Sequence, residues 1–281
     1  MRTLPAGQIL LAGCGYVGIA LAARLKSAGA QPIALRRSVE DLPSDLPAVR
    51  ADLTTGEGLA AIPRDIAAIV YLASADERTA KAYRAAYVDG PLRLAERIPS
   101  VPFIFVSSTS VYGQDDGSWV DEYSATTPSR VTGALIVEGE VALCRLERRT
   151  TIVRFGGIYG PGRGRLLRSV AQGTPCIEEP PQYTNRIHRD DCAAVLAHIL
   201  MLSAADNLYL AVDDEPSPQH VVCDWLAKRL GVPPPPRRTL VTRRDFAAGS
   251  KRVSNRRLRN TGYTFEYPSF RQGYAAILSG E

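Results

Sequence analysis

Residues 8–38 read QILLAGCGYVGIALAARLKSAGAQPIALRRS, and this stretch decides the fold. QILLAG at 8–13 is a short apolar run closed by glycine, the pattern of a strand buried on both faces of a parallel sheet. YVGIALAARLKSAGA follows with apolar residues at helical spacing and ends on Lys26 and a stopping Gly29. QPIALRR is a second strand. Gly13, Gly15 and Gly18 keep G-x-G-x-x-G spacing within this βαβ unit. That context turns a weak motif into a dinucleotide-binding signal. Gly13 makes the tight turn, Gly15 lets a pyrophosphate approach the backbone, and Gly18 lets the helix pack on the strand. Tyr16 and Val17 stand between the last two, where a phosphate meets the positive end of the helix dipole.

The end of the second strand selects the cofactor. A free ribose 2′-hydroxyl usually meets an Asp or Glu about twenty residues past the loop. Here Arg36 occupies that place, with Arg37 and Ser38 beside it. A carboxylate repels a 2′-phosphate, whereas a guanidinium holds one in fork geometry. NADP(H) is therefore favoured, with NAD(H) the alternative.

The alternation continues. IAAIVYLASA at 66–75, VPFIFVSSTS at 101–110 and TIVRF at 151–155 read as strands, and TAKAYRAAYVDGPLRLAERI at 79–98 as helix. Strands alternating with helices imply an α/β, Rossmann-type, doubly wound parallel sheet with right-handed crossovers, here over residues 1–155. After YGPGRGR at 159–165 helical stretches such as QHVVCDWLAKRL mix with short strands such as NLYLAV. Residues 156–281 then form a smaller C-terminal α/β substrate lobe, partly interleaved with the first domain. GVPPPPRR at 231–238 is a stiff connection without ladder donors.

Composition bounds the function. The chain has 281 residues, 45% hydrophobic and 22% charged, enough for one large core or a core with an appendage. No window approaches the ~18 apolar residues that span a bilayer, and MRTLPAGQILLAG lacks a signal-peptide pattern. A soluble cytoplasmic protein without a membrane partner is expected. Five widely spaced cysteines and three histidines argue against a disulfide framework or a metal site and read as buried free thiols. Residues 237–259 carry nine Arg/Lys against Asp245 alone. The strip has little aromatic interleaving, only Phe246, so an anionic small molecule is a better partner than nucleic acid.

With the loop, ALRRS, RADL and FIFVSSTSVYG in order, then VDEYSATTPSR, RFGGIYGPGR, NRIHRDDCAAVL and KRVSNRRLRNTGY, the chain resembles the extended short-chain dehydrogenase/reductases. These are NAD(P)-dependent epimerases and dehydratases acting largely on nucleotide sugars. The resemblance implies that Asp52 and Leu53 hold the adenine, and that Leu72, Ala73 and Ser74 lie under the middle of the cofactor. It implies that Ser107 lines the nicotinamide site and that Ser108 is the catalytic hydroxyl on the substrate oxygen. It also implies a homodimer through the 80–98 and 130–147 helices.

One part of the pattern is missing. In TPSRVTGALIVE at 127–138, Thr132 stands where the family has its catalytic Tyr, and Ile136 where it has the Lys. Hydride transfer at a carbinol needs a group that moves the hydroxyl proton near neutral pH. A Tyr with pKa near ~10 serves when an ammonium lowers it; Thr is too weak an acid and Ile has no charge. Gly157 also replaces the family Asn before YGP. The chain therefore resembles the atypical members that keep the loop and lose the pair. One reading is an enzyme with a rearranged proton donor, using Ser108 with Tyr112, Tyr159 or a water on Thr132. Arg154, Arg163 and Arg165 would then bind an anionic group and His188 would orient it. The other reading is a catalytically silent NADP(H)-binding sensor or assembly partner.

Overall fold

A computed structural model describes residues 4–146, 148–239 and 249–280. In chain order the first half comprises β1 (Gln8–Ala12), α1 (Tyr16–Ser27), β2 (Gln31–Arg36), β3 (Ala48–Arg50), β4 (Ile66–Tyr71), α2 (Ala80–Arg84), α3 (Gly90–Arg97), β5 (Phe103–Ser108), β6 (Trp119–Val120), α4 (Val131–Cys144) and β7 (Thr150–Phe155). The second half comprises β8 (Gly157–Tyr159), α5 (Arg165–Ala171), β9 (Cys176–Glu179), β10 (Tyr183–Thr184), β11 (Arg186–His188), α6 (Arg189–Leu200), β12 (Leu208–Ala211), β13 (Ser217–Pro218), α7 (Gln219–Leu230), β14 (Arg237–Thr239), β15 (Arg252–Val253), α8 (Arg256–Asn260) and α9 (Phe270–Ser279).

Seven strands form one sheet in the order β12-β7-β5-β4-β1-β2-β3, and the pairs β1/β2, β1/β4, β2/β3 and β4/β5 are parallel. This is the doubly wound Rossmann-type sheet that the sequence implies. Strand order reverses beside β1, and the crevice at the carboxyl ends of β1 and β4 is where such sheets take a ligand.

The chain divides into two compact units, each built from three stretches. Unit 1 is Met1–Val111, Pro128–Arg154 and Cys192–Tyr209; unit 2 is Tyr112–Thr127, Phe155–Asp191 and Leu210–Glu281. Inside unit 1, Leu10, Ile33, Leu35, Ile69, Tyr71, Phe103 and Phe105 are buried in one cluster. Tyr71 lies 6.1 and 5.7 Å from the rings of Phe103 and Phe105, and its hydroxyl donates to the Ala86 carbonyl at 2.7 Å. The helix expected over 79–98 is interrupted at that point: Ala85–Asp89 forms a π-turn between α2 and α3. Gly139 of α4 packs there, where a Cβ would stand 1.8 Å from the Tyr87 carbonyl oxygen.

Unit 2 has its own core of Tyr159, Val170, Cys176, Val222, Cys223, Leu226, Phe270 and Tyr274. Asp191 ties in the C-terminal segment, accepting from the Tyr263 hydroxyl at 2.7 Å and from the Glu266 and Tyr267 amides at 2.8 and 2.9 Å. Among the described residues no helix is long and apolar enough to cross a membrane.

Candidate dinucleotide site and the residues around it

The cradle lies within unit 1. Gly13 ends β1 at φ +82, and a Cβ there would stand 2.4 Å from the Ala73 amide nitrogen. Its own N–H donates to the Leu35 carbonyl at 2.8 Å, so the turn is tied to β2 while it touches the end of β4. Gly15 is different: the nearest atom to a Cβ there is 3.9 Å away. The surface over Gly15 is thus open to a group from outside the chain. A Cβ at Gly18 would stand 3.1 Å from the Cys14 sulfur and 3.8 Å from Leu72, so the glycine lets α1 seat on the sheet. Helix α1 has no side-chain cap and no acid in its first turn. No side-chain cap or first-turn acid therefore stands against the positive end of its dipole, which suits a phosphate. These features fit a dinucleotide: Gly13, Gly15, Tyr16, Val17 and Gly18 make the turn from β1 into α1 at the switch point, and the space over Gly15 is open.

Arg36 stands at the carboxyl end of β2, next to that surface, and its Nη1 reaches the Cys14 carbonyl at 3.5 Å. Burial pushes the Cys14 thiol up to about 11, with the Arg36 charge acting against it. Arg37 points elsewhere and pairs with Asp76 at 2.7 Å on an exposed surface. Ser38 is exposed. Asp52 accepts the Thr54 amide at 2.7 Å, and Arg93 donates to the carbonyls of Leu53 and Thr54 at 2.7 and 2.8 Å. The Asp52–Leu53 turn is therefore held in shape from α3. Leu72 and Ala73 are half-buried and Ser74 exposed where β4 ends.

β5 ends in two serines with different surroundings. Ser107 is buried and donates to Glu140 at 2.5 Å. Ser108 is half-buried, and its oxygen accepts the Ser110 amide at 3.1 Å. Thr132 lies in the first turn of α4, half-buried; the next residue, Gly133, abuts Pro128 and the Ser110 carbonyl. Unit 1 thus brings Thr132 toward the turn that follows Ser108. Ile136, one helical turn on, is buried and apolar.

Arg154 is buried too, and Glu140 holds it from two sides: Nε to Oε1 at 2.9 Å and Nη2 to Oε2 at 2.5 Å. Its charge is matched inside the chain, so it is not a ready anchor for a substrate anion. Glu140 is a residue of unit 1 that reading the sequence missed. The only signal was its place four residues after Ile136 and eight after Thr132, on the same helix face.

Unit 2 carries the remaining candidates. Tyr112 is buried and donates its hydroxyl to the Asp121 carbonyl at 2.8 Å. His188 is buried between the rings of Tyr159 and Tyr267, with centroids 5.3 and 4.0 Å away. Its Nδ1 accepts the Asp190 amide at 3.3 Å, and burial lowers its pKa, so it is neutral at physiological pH. Arg163 and Arg165 are exposed around the start of α5. Two ionisable groups here had no individual role in the sequence, where Lys251 counted only as part of the basic strip. Lys251 is buried, donates to the Tyr112 carbonyl at 2.9 Å, and burial lowers its pKa to about 8. Asp213 is buried near Arg186, and burial raises its pKa to about 8.

The basic strip is more aromatic than its own sequence suggests. β15 pairs with β6, which brings Arg252 over Trp119 at 5.3 Å and over Tyr183 at 5.0 Å; Arg257 lies over Tyr123 at 4.8 Å. Arg243, Arg244, Asp245 and Phe246 lie outside the described residues.

The sheet and the glycine cradle define a class, the dinucleotide-binding α/β proteins of the dehydrogenase/reductase type. Residues 7–263 match the family described as the RmlD substrate binding domain, and the chain belongs to that family within the extended short-chain dehydrogenase/reductases. It is 34% identical to a Methylobacillus flagellatus protein taken to be an NAD-dependent epimerase/dehydratase, with 98% of each chain covered and a TM-score of 0.81. It shares the fold of the human epimerase family protein SDR39U1, solved with NADPH, at 20% identity and a TM-score of 0.80 over 98% of this chain and 100% of that one. A Streptomyces 3-diazoavenalumate denitrifying reductase is 33% identical over 93 residues; the match spans 30% of this chain and 29% of that protein's length.

Proposed function

We propose that the chain is an NADP(H)-dependent oxidoreductase or epimerase-like enzyme of the cytoplasm. Its substrate is an anionic or sugar-like small molecule, and its proton donor is not the usual tyrosine. The observation that carries this reading is Arg36 beside an open glycine cradle, where the NAD-type carboxylate would otherwise stand. The NADPH named with the human SDR39U1 and the reductase activity named for the Streptomyces protein support it.

The dinucleotide supplies or accepts hydride when bound. The chain has to bind it, hold the substrate oxygen and handle one proton. The phosphates go to the α1 amides and the 2′-phosphate to Arg36, while Asp52 and Leu53 take the adenine. Leu72, Ala73 and Ser74 support the middle of the cofactor. Ser108 is the group that meets the substrate oxygen: its lone pair is engaged by the Ser110 amide, which leaves its O–H to donate. Thr132 holds the water that completes proton transfer. Tyr112 ranks behind it, since its hydroxyl already serves the Asp121 carbonyl. Arg163 and Arg165 are the exposed cations for an anionic substrate group. His188 is uncharged in its aromatic niche, so it is not a charged partner for the anion.

A second reading, a silent NADP(H)-binding sensor, has one observation behind it. The Lys position holds a buried apolar side chain, Ile136, so no ionisable group lowers the acidity barrier there. NADPH oxidation measured over a panel of aldehydes, ketones and nucleotide sugars separates the two. Turnover that falls at least tenfold in Ser108→Ala supports the enzyme. Binding without turnover anywhere on the panel supports the sensor.

A further inference from the structure

Three buried side chains at the carboxyl edge of the sheet form a chain of charge-assisted bonds that the family resemblance did not predict for them. Ser107 at the end of β5 donates to Glu140 Oε1 at 2.5 Å. Arg154 of β7 grips both oxygens of the same carboxylate at 2.9 and 2.5 Å. The Glu140 and Arg154 side chains are 6% and 7% exposed, so little water competes for these bonds.

The consequence is a fixed direction for one proton. A serine hydroxyl has a single donor and two acceptor lone pairs, and in water it rotates freely. Glu140 is an acceptor only, so the Ser107 proton must point at it. Arg154 clamps Glu140 in two-point geometry and balances its charge, which prevents the carboxylate from turning away. Ser107 lies two strands from the Gly13 turn, since β5 neighbours β4 and β4 neighbours β1. At ~4.8 Å per strand that is about 10 Å, within the span of a bound dinucleotide.

We propose that Glu140, held by Arg154, is a positioning residue that locks Ser107 as a hydrogen-bond acceptor toward the cofactor. This inference rests on the cofactor reading above. Ser107 then accepts from an amide or hydroxyl donor of the dinucleotide and offers no proton of its own. The arrangement suits a site that has lost its tyrosine and lysine. With Thr132 and Ile136 in those places, the other groups that set the cofactor's pose carry more of the task.

Calorimetric titration of the full chain with NADPH, together with thermal melts, tests this. The variants are Ser107→Ala, Glu140→Gln and the double variant. Ser107→Ala should weaken NADPH binding roughly tenfold, the loss of one hydrogen bond, and the melts should show a folded protein with a lowered melting temperature, since Glu140 loses a buried donor. Glu140→Gln should weaken binding by a similar factor, and the double variant no further, because Ser107 acts through Glu140. If Glu140→Gln does not fold, Arg154→Lys replaces it, since an ammonium cannot hold both carboxylate oxygens in a fork. A folded Glu140 or Arg154 variant that binds NADPH as the wild type does overturns the proposal, as do losses that simply add in the double variant. Wild-type protein that binds neither NADPH nor NADH overturns the cofactor reading itself, and this inference with it.

Discussion

Gly13 lies against the backbone of Ala73 so closely that a Cβ at residue 13 would stand 2.4 Å from the Ala73 amide nitrogen. Gly13 also adopts φ +82, a conformation that L side chains rarely take. Two independent reasons therefore require glycine at the mouth of the cradle. Gly29 offers the control: it has φ +78 but nothing within 4 Å of its would-be Cβ. Gly29→Ala should cost about 1 kcal/mol, the left-handed strain alone. Gly13→Ala should cost roughly 2–5 kcal/mol, because strain and clash add. Urea midpoints of both variants, with NADPH titrations, check the contrast.

Lys251 gives a pH signature. In the folded chain its pKa is lowered to about 8, against 10.5 for the ordinary side chain. Below pH 8 it is charged in both states, and the desolvation penalty is fully present. Between about 8 and 10.5 the folded form has released its proton and the unfolded form has not, so raising the pH favours folding. Urea midpoints should carry this stabilising contribution as pH moves from 8 to 10. Lys251→Met, which removes the titrating group, should lack it. Parallel pH curves for the two proteins would count against the burial of a charged Lys251.

The thiols give a simpler count. All five cysteines are free; Cys14, Cys176, Cys192 and Cys223 are buried, but Cys144 at the end of α4 is exposed. The sequence reading expected buried thiols throughout. Titration with an aromatic disulfide reagent should find one fast thiol in the native protein, none in Cys144→Ser, and five after denaturation.

The cradle was legible because its logic is local: three glycines at fixed spacing between a strand and a helix. The substitution of Thr132 and Ile136 was equally plain, since both sit in register on one helix. The fate of the charged candidates was not legible. Arg154 is engaged by Glu140, fourteen residues away, and the Tyr112 hydroxyl by Asp121. His188 is enclosed by Tyr159 and Tyr267, which reach it from other segments. The arginines of the basic strip meet Trp119, Tyr123 and Tyr183 only because β15 pairs with β6 and tertiary packing brings the rest together. Partners of this kind depend on tertiary approach, which periodicity and spacing do not encode. The π-turn at Ala85–Asp89 is a similar case, since it forms where Tyr71 reaches across to the Ala86 carbonyl.

The central claim is a cofactor site marked by Arg36. Paired calorimetric titrations with NADPH and NADH on the wild type and on Arg36→Glu test it most directly. A guanidinium–phosphate bond is worth roughly 1.5–3 kcal/mol. The wild type should therefore prefer NADPH by roughly ten- to a hundredfold, and Arg36→Glu should abolish or reverse that preference while still binding NADH. Equal affinity for the two nucleotides in the wild type, or a preference that survives Arg36→Glu, would contradict the account.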